Sequence, residues 1–269
     1  MLLCTTAIIK EMATDIHPQA LVDSKSELED GVTVGPYAII GPNVKIGRFS
    51  EVGSFCNITG YTRIGEKCKI FSHSVIGSYP QDLKYNGEKS YIVIGNNNTI
   101  REFVTINPGT EEGSETVIGS DNLIMAYSHI AHNCRVGSAN IFANLATLAG
   151  YVEVGDKVVI GGGAAIHQFC RIGNFSIIGG CSKVVQDVPP FALCDGHPAK
   201  VRGLNLVGLR RANFNKDTIR TLRKAFKLLF FREHTLDYAT KEIKKSLPSL
   251  QELDYLVRFV TNSKRGISR

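Results

Sequence analysis

One apolar residue recurs at every sixth position over most of the sequence. From Ile16 to Val184, every sixth residue is aliphatic or Phe, except Asp82, Glu88 and Glu112. A period of six fits neither the turn of an α-helix nor the two-residue alternation of a flat amphipathic strand. It fits a solenoid in which each hexad forms one short strand and one corner, with the periodic residue pointing inward. Three hexads would then close one triangular coil of about eighteen residues.

Glycine often follows the periodic residue directly. We interpret these glycines as corner residues with unusual backbone angles, which glycine adopts more readily than other residues do. The positions are Gly35, Gly41, Gly47, Gly53, Gly65, Gly137, Gly155, Gly161, Gly173 and Gly179.

The hexad pattern divides the chain into a lead-in (1–15), a solenoid (16–190) and a C-terminal helical region (191–269). Two stretches, near 77–93 and 107–117, break the pattern, and the apolar phase resumes after each. They predict loops that leave the solenoid and return to it, and such loops on a rigid scaffold often carry function. The solenoid is expected to end at its two consecutive prolines, which cannot donate ladder hydrogen bonds.

Helical periodicity replaces the hexads near the C-terminus and predicts three helices. Asn215 and Thr235 can cap two of them, and Ser249 with Glu252 has the spacing of a capping box. Three short helices enclose little core, so they are expected to pack on the end of the solenoid or on a neighbouring chain.

Charge is unevenly placed along the chain. The net charge is +6, but the segment from Pro189 onward holds 17 Lys and Arg against 7 Asp and Glu. A basic end on an acidic body indicates an acidic partner or a solvated helical surface. Nucleic acid is disfavoured, because the basic residues show no recognition signature and no aromatic residues interleave them.

The sequence predicts neither a membrane span nor a disulfide framework. No apolar run approaches the roughly 18 residues that a spanning helix needs. The N-terminal stretch lacks a basic start and a signal cleavage site, although the remnant of an organellar leader stays possible. The seven cysteines show no paired spacing, which indicates reduced thiols and a cytoplasmic location, with an organellar matrix as the alternative.

The chemistry-bearing residues form a predicted column. His129 and His132 flank Ile130, which lies in the apolar phase. With a coil of about eighteen residues, His132, Gly150 and Gln168 occupy equivalent positions in successive coils, about 4.8 Å apart. An imidazole beside a backbone N–H suits acyl transfer, in which a base deprotonates a hydroxyl and the N–H stabilises the oxyanion. A purely structural role for the histidines stays equally open at this point.

A metal site is not predicted. Hexapeptide-repeat carbonic anhydrases hold Zn²⁺ by three histidines, two of them in an H-x4-H spacing, whereas His129 and His132 have an H-x2-H spacing and no evident third partner.

Four motifs, in this order, resemble those of the acyl-[acyl-carrier-protein]–UDP-N-acetylglucosamine O-acyltransferases. They are QDLKYNGE at 81–88, HIAHNC at 129–134, IHQF at 166–169 and QDVPP at 186–190. The likeness covers about residues 15–269. It implies an all-β solenoid with an α tail, namely a left-handed parallel β-helix of hexapeptide repeats with a C-terminal helical domain. It also implies a homotrimer with active sites between neighbouring solenoids.

The same resemblance implies a reaction. An (R)-3-hydroxyacyl group would pass from acyl carrier protein to the 3-OH of UDP-N-acetylglucosamine, the first step of lipid A biosynthesis. No cofactor is implied beyond the acyl-4'-phosphopantetheine of the donor. Acyl carrier protein is acidic, which accounts for the basic C-terminal segment.

Site residues follow from the resemblance position by position. His132 matches the general base and Gly150 the oxyanion donor. The matched substrate-binding residues are Asp82, Lys84, His129 and Gln168 for sugar or acyl contacts, His167 on the nucleotide side, and Asn205 and Arg211 for the uridine diphosphate. Gly180 matches an acyl-length ruler, and the lack of a side chain there predicts a longer acyl chain.

The sequence departs from the family at several of these places. Asn133 stands where some members have Asp beside the base, so the carboxylate that would orient the imidazole is absent from that position. Tyr151 and Asn107 replace histidines, and Val207 and Ala212 replace polar residues near the nucleotide. The departures put individual contacts in doubt rather than the reaction.

Three alternatives compete with this hypothesis. A CoA-dependent acetyltransferase of the same fold would lack the QDLK loop and the helical tail. The related N-acyltransferase of the pathway carries an extra N-terminal domain, for which the short lead-in leaves no room. A non-catalytic scaffold would need neither the histidine column nor the loops.

Overall fold

The computed structural model describes residues 13–231 and 234–269. These described residues form a left-handed parallel β-helix followed by a hairpin and four helices, so the predicted fold class is confirmed. Most of the predicted lead-in, including Cys4, lies outside the described residues.

Short strands make up the three walls of the solenoid. Their bounds are β1 (Asp15–Ile16), β2 (Leu21–Val22), β3 (Glu27–Leu28), β4 (Thr33–Val34), β5 (Ile39–Ile40), β6 (Lys45–Ile46), β7 (Glu51–Val52), β8 (Asn57–Ile58), β9 (Tyr61–Ile64), β10 (Lys69–Ile70), β11 (Val75–Ile76), β12 (Tyr91–Ile94), β13 (Thr99–Ile100) and β14 (Thr105–Ile106). The later strands are β15 (Glu115–Ile118), β16 (Leu123–Ile124), β17 (His129–Ile130), β18 (Arg135–Val136), β19 (Ile141–Phe142), β20 (Thr147–Leu148), β21 (Glu153–Val154), β22 (Val159–Ile160), β23 (Ala165–Ile166), β24 (Arg171–Ile172), β25 (Ile177–Ile178), β26 (Lys183–Val184), β27 (Ala192–Gly196) and β28 (Ala199–Leu204).

Successive strands of the solenoid belong in rotation to three sheets. Sheet A contains β1, sheet B contains β2 and sheet C contains β3. In sheet A, Ile16 of β1 pairs with Val34 of β4, which is the predicted eighteen-residue coil. From the second coil onward the periodic residues are buried, as at Ile58 and Ile160, each 0% exposed. The stack of these apolar side chains is the core of the solenoid, as the hexad pattern predicts.

The prediction that the periodic glycines have unusual backbone angles is wrong. None of the ten has a positive φ. A Cβ on nine of them would instead lie 3.0 Å or less from the next layer of chain; at Gly47 it would lie 2.7 Å from the carbonyl carbon of Gly65. Close approach of stacked backbones therefore selects glycine there. The positive φ angles fall two residues later in the corner, mostly on residues other than glycine, such as Tyr37 at 60°.

We name the three edges of the prism by the sheets that they join. At the AB edge, five ring side chains with positive φ stack face to face in successive coils, with centroids 4.8–5.0 Å apart. This aromatic ladder consists of Tyr37, Phe55, His73, Phe103 and Tyr127. The BC edge differs, because both excursions from the hexad pattern leave and rejoin the solenoid there. The first excursion (77–90) lies between β11 and β12, and the second excursion (107–114) lies between β14 and β15.

Sheet A continues beyond the two prolines, where the hexad pattern predicts no strand. β27 pairs in parallel with β25, and β28 pairs antiparallel with β27. Four helices follow in the part of the chain that the structure describes: α1 (Leu206–Arg211), α2 (Lys216–Phe230), α3 (Leu236–Ser246) and α4 (Gln251–Thr261). The prediction of three helices missed α1, since six residues that include Gly208 carry a weak helical pattern. None of these helices is long and apolar enough to span a membrane.

Two of the predicted helix caps are confirmed and one is wrong. The side chains of Asn215 and Thr235 accept hydrogen bonds from the third residue of α2 and α3 respectively. Helix α4 begins one residue later than the capping box requires. Leu250 is its N-cap residue and makes no side-chain cap bond, so Ser249 lies outside the helix.

Candidate active site

Three consecutive coils build the centre of the BC edge. Strand pairing aligns His129 of β17 with Thr147 of β20 and with Ala165 of β23. Three residues further along each coil, His132, Gly150 and Gln168 occupy the same corner position. The predicted column is therefore present in the structure, and Ile130, buried at 0% exposure, anchors its first corner.

The imidazole of His132 is held between the corner and the first excursion. Its Nδ1 lies 2.9 Å from Oδ1 of Asn133, and its Nε2 lies 3.8 Å from Oδ2 of Asp82. The ring of Tyr151 packs edge-on against it, with centroids 5.4 Å apart. The side chain is 12% exposed, so it is enclosed and still reachable from the cleft.

Hydrogen bonding fixes the orientation of the Asn133 amide. The backbone N–H of Thr110 can only donate, and it lies 3.1 Å from the atom assigned as Oδ1. A carboxylate oxygen of Glu111 can only accept, and it lies 3.0 Å from the atom assigned as Nδ2. The neighbour of His132 Nδ1 is therefore an acceptor, so Nδ1 carries the proton and Nε2 is the basic nitrogen.

Gly150 leaves no space between its backbone and His132. A Cβ built on it would lie 2.4 Å from Cε1 and 2.6 Å from Nε2 of the imidazole. Its two neighbours donate ladder bonds, Ala149 to Ile166 and Tyr151 to His132. Within the described residues, the N–H of Gly150 itself donates to no protein acceptor, so it is available to a ligand beside the imidazole.

The two excursions form the walls of a cleft of about 660 Å³ over this corner. They are tied together, because the N–H of Gly113 donates to the carbonyl of Lys89 and the N–H of Lys89 donates to the carboxylate of Glu112, each at 2.8 Å. The cleft is lined by Asp82, Lys84, Glu88, Thr110, Glu111, Glu112, His132, Tyr151, Gln168 and Phe169. Four carboxylates against one lysine make the lining acidic.

The second histidine of the pair lies on the outer face of sheet B. His129 Nδ1 is 2.6 Å from the hydroxyl of Thr105 in the previous coil. Burial lowers the pKa of His129, and the positive charge that His132 can acquire lowers it further. His129 is therefore held neutral, which suits a hydrogen-bonding contact better than proton transfer.

Residue His167 lies next to Gln168 in the last complete corner of this edge, and both are exposed. The guanidinium of Arg265 lies 3.3 Å from His167 Nδ1 and also donates to the carbonyl of Val185 at 3.2 Å. The C-terminal residues of the chain thus return to the edge that carries the column.

Three predicted site residues lie at other edges of the same chain. Asn205 is at the CA edge, where its Nδ2 donates to the carbonyl of Phe175 at 2.8 Å and its Oδ1 caps α1 through Gly208 at 3.0 Å. Arg211 ends α1 and is exposed. Gly180 is exposed at the AB edge, where a Cβ would meet the carbonyl oxygen of Gly162 at 3.3 Å. A single chain therefore does not bring these residues to His132.

Other reactive groups near the cleft are unsuited to catalysis. Burial raises the pKa of the Cys134 thiol to about 12, so it is not a nucleophile at neutral pH. Among the described residues, no three His, Cys, Asp or Glu side chains converge in a way that could hold a metal ion.

Glu111 and Thr110 are site residues that the sequence reasoning did not single out. Both belong to the second excursion, so the column arithmetic of the repeats does not place them. The one available signal was the pair of acidic residues in a loop that interrupts a rigid repeat.

Comparisons with known proteins agree with this architecture. Residues 187–268 match the family described as UDP N-acetylglucosamine O-acyltransferase, domain 2. Residues 25–60 and 115–150 match the bacterial transferase hexapeptide family.

Two curated relatives match this chain over almost its whole length and carry the same name. The acyl-[acyl-carrier-protein]–UDP-N-acetylglucosamine O-acyltransferase of Thermodesulfovibrio yellowstonii is 51% identical over 95% of this chain and 99% of its own length. That of Neisseria meningitidis serogroup B is 50% identical over 95% of this chain and 100% of its own. The solved UDP-N-acetylglucosamine acyltransferase from Campylobacter jejuni superposes with a TM-score of 0.89 at 42% identity, over 94% of this chain and 99% of that one. The chain therefore belongs to the family of acyl-[acyl-carrier-protein]–UDP-N-acetylglucosamine O-acyltransferases.

Proposed function

We propose that this protein transfers an (R)-3-hydroxyacyl group from acyl carrier protein to the 3-OH of UDP-N-acetylglucosamine, the first step of lipid A biosynthesis. The observation that carries the proposal is the juxtaposition of a basic imidazole nitrogen on His132 with the free N–H of Gly150, inside a cleft. Family membership adds the donor and acceptor classes, which the relatives' names contain.

The geometry supports the following sequence of bond changes. Nε2 of His132 takes the proton of the sugar 3-OH as that oxygen attacks the thioester carbonyl. The new C–O bond places negative charge on the former carbonyl oxygen, to which the N–H of Gly150 donates. Collapse of this intermediate breaks the C–S bond, and the proton held by His132 passes to the departing thiolate of the phosphopantetheine arm.

Five further residues are assigned to substrate contacts. Asp82 and Lys84 reach the cleft from the first excursion, and Gln168 lies at its floor in the column. His129 offers its ring from the adjoining face of sheet B. His167, which borders Gln168, is assigned to the nucleotide side.

A homotrimer is the assembly that we propose. The acidic lining of the cleft does not suit a diphosphate, whereas the basic end of α1, with Arg210 and Arg211, lies at the CA edge. Asn205 fixes α1 at that edge through its two hydrogen bonds, and each of its polar atoms keeps capacity for one more. A second chain that presents its CA edge to the BC edge of the first would complete the site, and threefold closure repeats that contact.

Two further assignments concern the surroundings of the enzyme. Acyl carrier protein is the proposed partner of the basic C-terminal segment, because acidic and basic surfaces steer each other's association. A cytoplasmic or organellar-matrix location is proposed from the six described cysteines, all free thiols.

The test is acyl transfer from a panel of (R)-3-hydroxyacyl carrier proteins to UDP-N-acetylglucosamine. The wild type is expected to transfer the acyl group, whereas His132→Ala is expected to lose most of its kcat at an unchanged trimeric mass. Lack of transfer by a folded trimeric wild type would exclude this donor and acceptor. Equal activity of the two proteins would remove His132 from the mechanism.

A further inference from the structure

We propose that Glu111 is a positioning residue for the base, acting on His132 through the side-chain amide of Asn133. This inference rests on the proposed function, because it assigns a role within the same reaction. The carboxylate that other members place beside the base would here be supplied by the second excursion, one hydrogen bond further away.

The contacts form one continuous chain of donors and acceptors. His132 Nδ1–H donates to Asn133 Oδ1 at 2.9 Å, and Asn133 Nδ2 donates to Glu111 Oε2 at 3.0 Å. The hydroxyl of Tyr151 donates to the other carboxylate oxygen of Glu111. The backbone N–H and the hydroxyl of Thr110 both donate to Asn133 Oδ1, at 3.1 and 3.0 Å.

We call the hydrogen-bonded series His132–Asn133–Glu111 the relay. Each group in it has only one orientation that satisfies the donors and acceptors of its neighbours. A carboxylate accepts and cannot donate, so Glu111 turns the NH₂ of Asn133 toward itself and the carbonyl oxygen toward His132. That oxygen then holds the proton of His132 on Nδ1 and leaves Nε2 as the base. Without Glu111, the amide of Asn133 would lose the partner that fixes its NH₂ end, and only Thr110 would oppose its rotation.

Two of the departures of this chain from its family, Asn133 and Tyr151, meet at Glu111. Asn133 provides an NH₂ group where an aspartate would repel the carboxylate, and Tyr151 provides an O–H where the family has histidine. Hydrogen bonding, first from Tyr151 and then from Asn133, lowers the pKa of Glu111. The carboxylate thus stays ionised in the pH range where imidazole titrates. We infer that Glu111, Asn133 and Tyr151 function as one unit.

The pH dependence of the reaction reflects every charged or titratable group that faces His132. These are Asp82 from the first excursion, Glu111 through Asn133 from the second, Tyr151 from the next coil and His129 from its own strand; Lys84, Glu88 and Glu112 line the cleft around them. Glu111 is exposed to solvent, so the effect of its charge is partly screened. Orientation of the amide is therefore expected to contribute more than the charge itself.

The kinetic test separates these two contributions. In Glu111→Gln the side chain can still accept from Asn133 but has no charge, and we expect kcat to fall about threefold. In Glu111→Ala both are lost, and we expect a loss of about thirtyfold, with KM for UDP-N-acetylglucosamine within twofold of the wild type.

A double-variant cycle distinguishes the relay from a merely structural role. Asn133→Asp places two carboxylates in contact and should lower kcat. Combining it with Glu111→Gln removes the repulsion and places a carboxylate directly beside the imidazole, so the double variant should be more active than Asn133→Asp alone. Glu115→Gln, on the outer face of sheet C, is the matched control and should behave as the wild type.

NMR of the histidine rings tests the tautomer of His132 without requiring turnover. In protein labelled with ¹⁵N-histidine, the signal of His132, assigned with His132→Gln, should report the proton on Nδ1 in the wild type and a mixture of tautomers in Glu111→Ala. An Nε2–H tautomer in the wild type would refute the relay. It would also be refuted if the loss of kcat in the double variant equals the product of the losses in Asn133→Asp and Glu111→Gln. Glu111→Ala kinetics that match those of Glu115→Gln would refute it as well. A wild type that transfers no acyl group would refute the proposed function alone, since the tautomer would still decide the relay.

Discussion

The AB and BC edges of the solenoid share a backbone and carry different side chains. At both edges the third residue after the buried strand end has a left-handed φ, as at His73 (64°) on the AB edge and Asn133 (59°) on the BC edge. The AB edge repeats without interruption, and its rings stack into the aromatic ladder. The BC edge is interrupted twice, and polar side chains from the interruptions contact the corner residues. One repeating corner therefore supports packing in one place and chemistry in another, according to what reaches it from outside the repeat.

Two histidines make the comparison concrete. His73 is sandwiched between Phe55 and Phe103, with ring planes within 2° of parallel. His132 is one residue earlier in its corner and has a polar partner at each ring nitrogen. The residue type alone does not separate these roles, whereas the neighbouring coil and loop do.

The largest predicted effect is the loss of activity on removing the ring of His132, and removal of the ring of His73 is its comparison. His132→Ala should lower kcat by about 10²–10⁴-fold, the usual contribution of a general base. His73→Ala should keep its activity per folded protein within about twofold and lower the melting temperature, because each stacked pair contributes about 0.5–1.5 kcal/mol. Steady-state kinetics and thermal melts on both variants test this. A catalytic defect in His73→Ala at full folding would contradict the division between the edges.

The next effect tests the contact between coils in the column. Gly150→Ala should displace the imidazole, since the added methyl would lie 2.4 Å from Cε1, and we expect kcat to fall about 10²-fold. The control is Gly41→Ala at the BC edge of an early coil, where the nearest atom, Cα of Thr59, is 3.3 Å away. If Gly150→Ala is as active as this control, then Gly150 is not held against the base.

A change of specificity is predicted at the opposite edge. If Gly180 leaves an acyl groove open, Gly180→Met should shift the preferred donor toward shorter acyl chains. Each methylene that no longer fits should cost about fourfold in kcat/KM. The acyl carrier protein panel measures this shift directly. A wild type that accepts only short chains, or an unchanged preference in the variant, would show that the AB edge does not contact the acyl chain.

The smallest effect concerns the pH dependence of stability. Because burial lowers the pKa of His129 below its ordinary value of 6.5, the unfolded chain binds a proton there before the folded chain does. Lowering the pH through 6.5 should therefore destabilise the wild type, until the folded-state pKa is also passed. The melting temperature of His129→Gln should decline less over the same range. Parallel decline of the two proteins would mean that His129 does not contribute to the linkage.

The sequence was sufficient for the parts of the fold and site that follow the period of six. Since Ile130, Leu148 and Ile166 are equivalent buried residues, simple addition places His132 beside Gly150 and Gln168. The parts that failed depend on three-dimensional contacts that the period of six does not reveal. The role of the periodic glycines depends on the distance between coils, and α1 depends on the capping of Asn205 against the CA edge.

Glu111 shows the same limit within the site. The sequence position of Glu111 does not predict where it lies relative to the coils, because the second excursion lies outside the hexad phase. Its position depends on hydrogen bonds to Tyr151 and Asn133 and on the tie between the two loops. Such tertiary contacts cannot be read from periodicity.

The pairing across the first excursion has a consequence for evolution. Val75 of β11 pairs with Thr105 of β14 in the same register that joins uninterrupted coils, although the inserted loop lies between them. A corner can therefore lengthen without displacing any strand on either side. A longer or shorter loop at this edge would therefore leave the supporting strands in register, so that the loop can change the substrate preference while the fold stays intact.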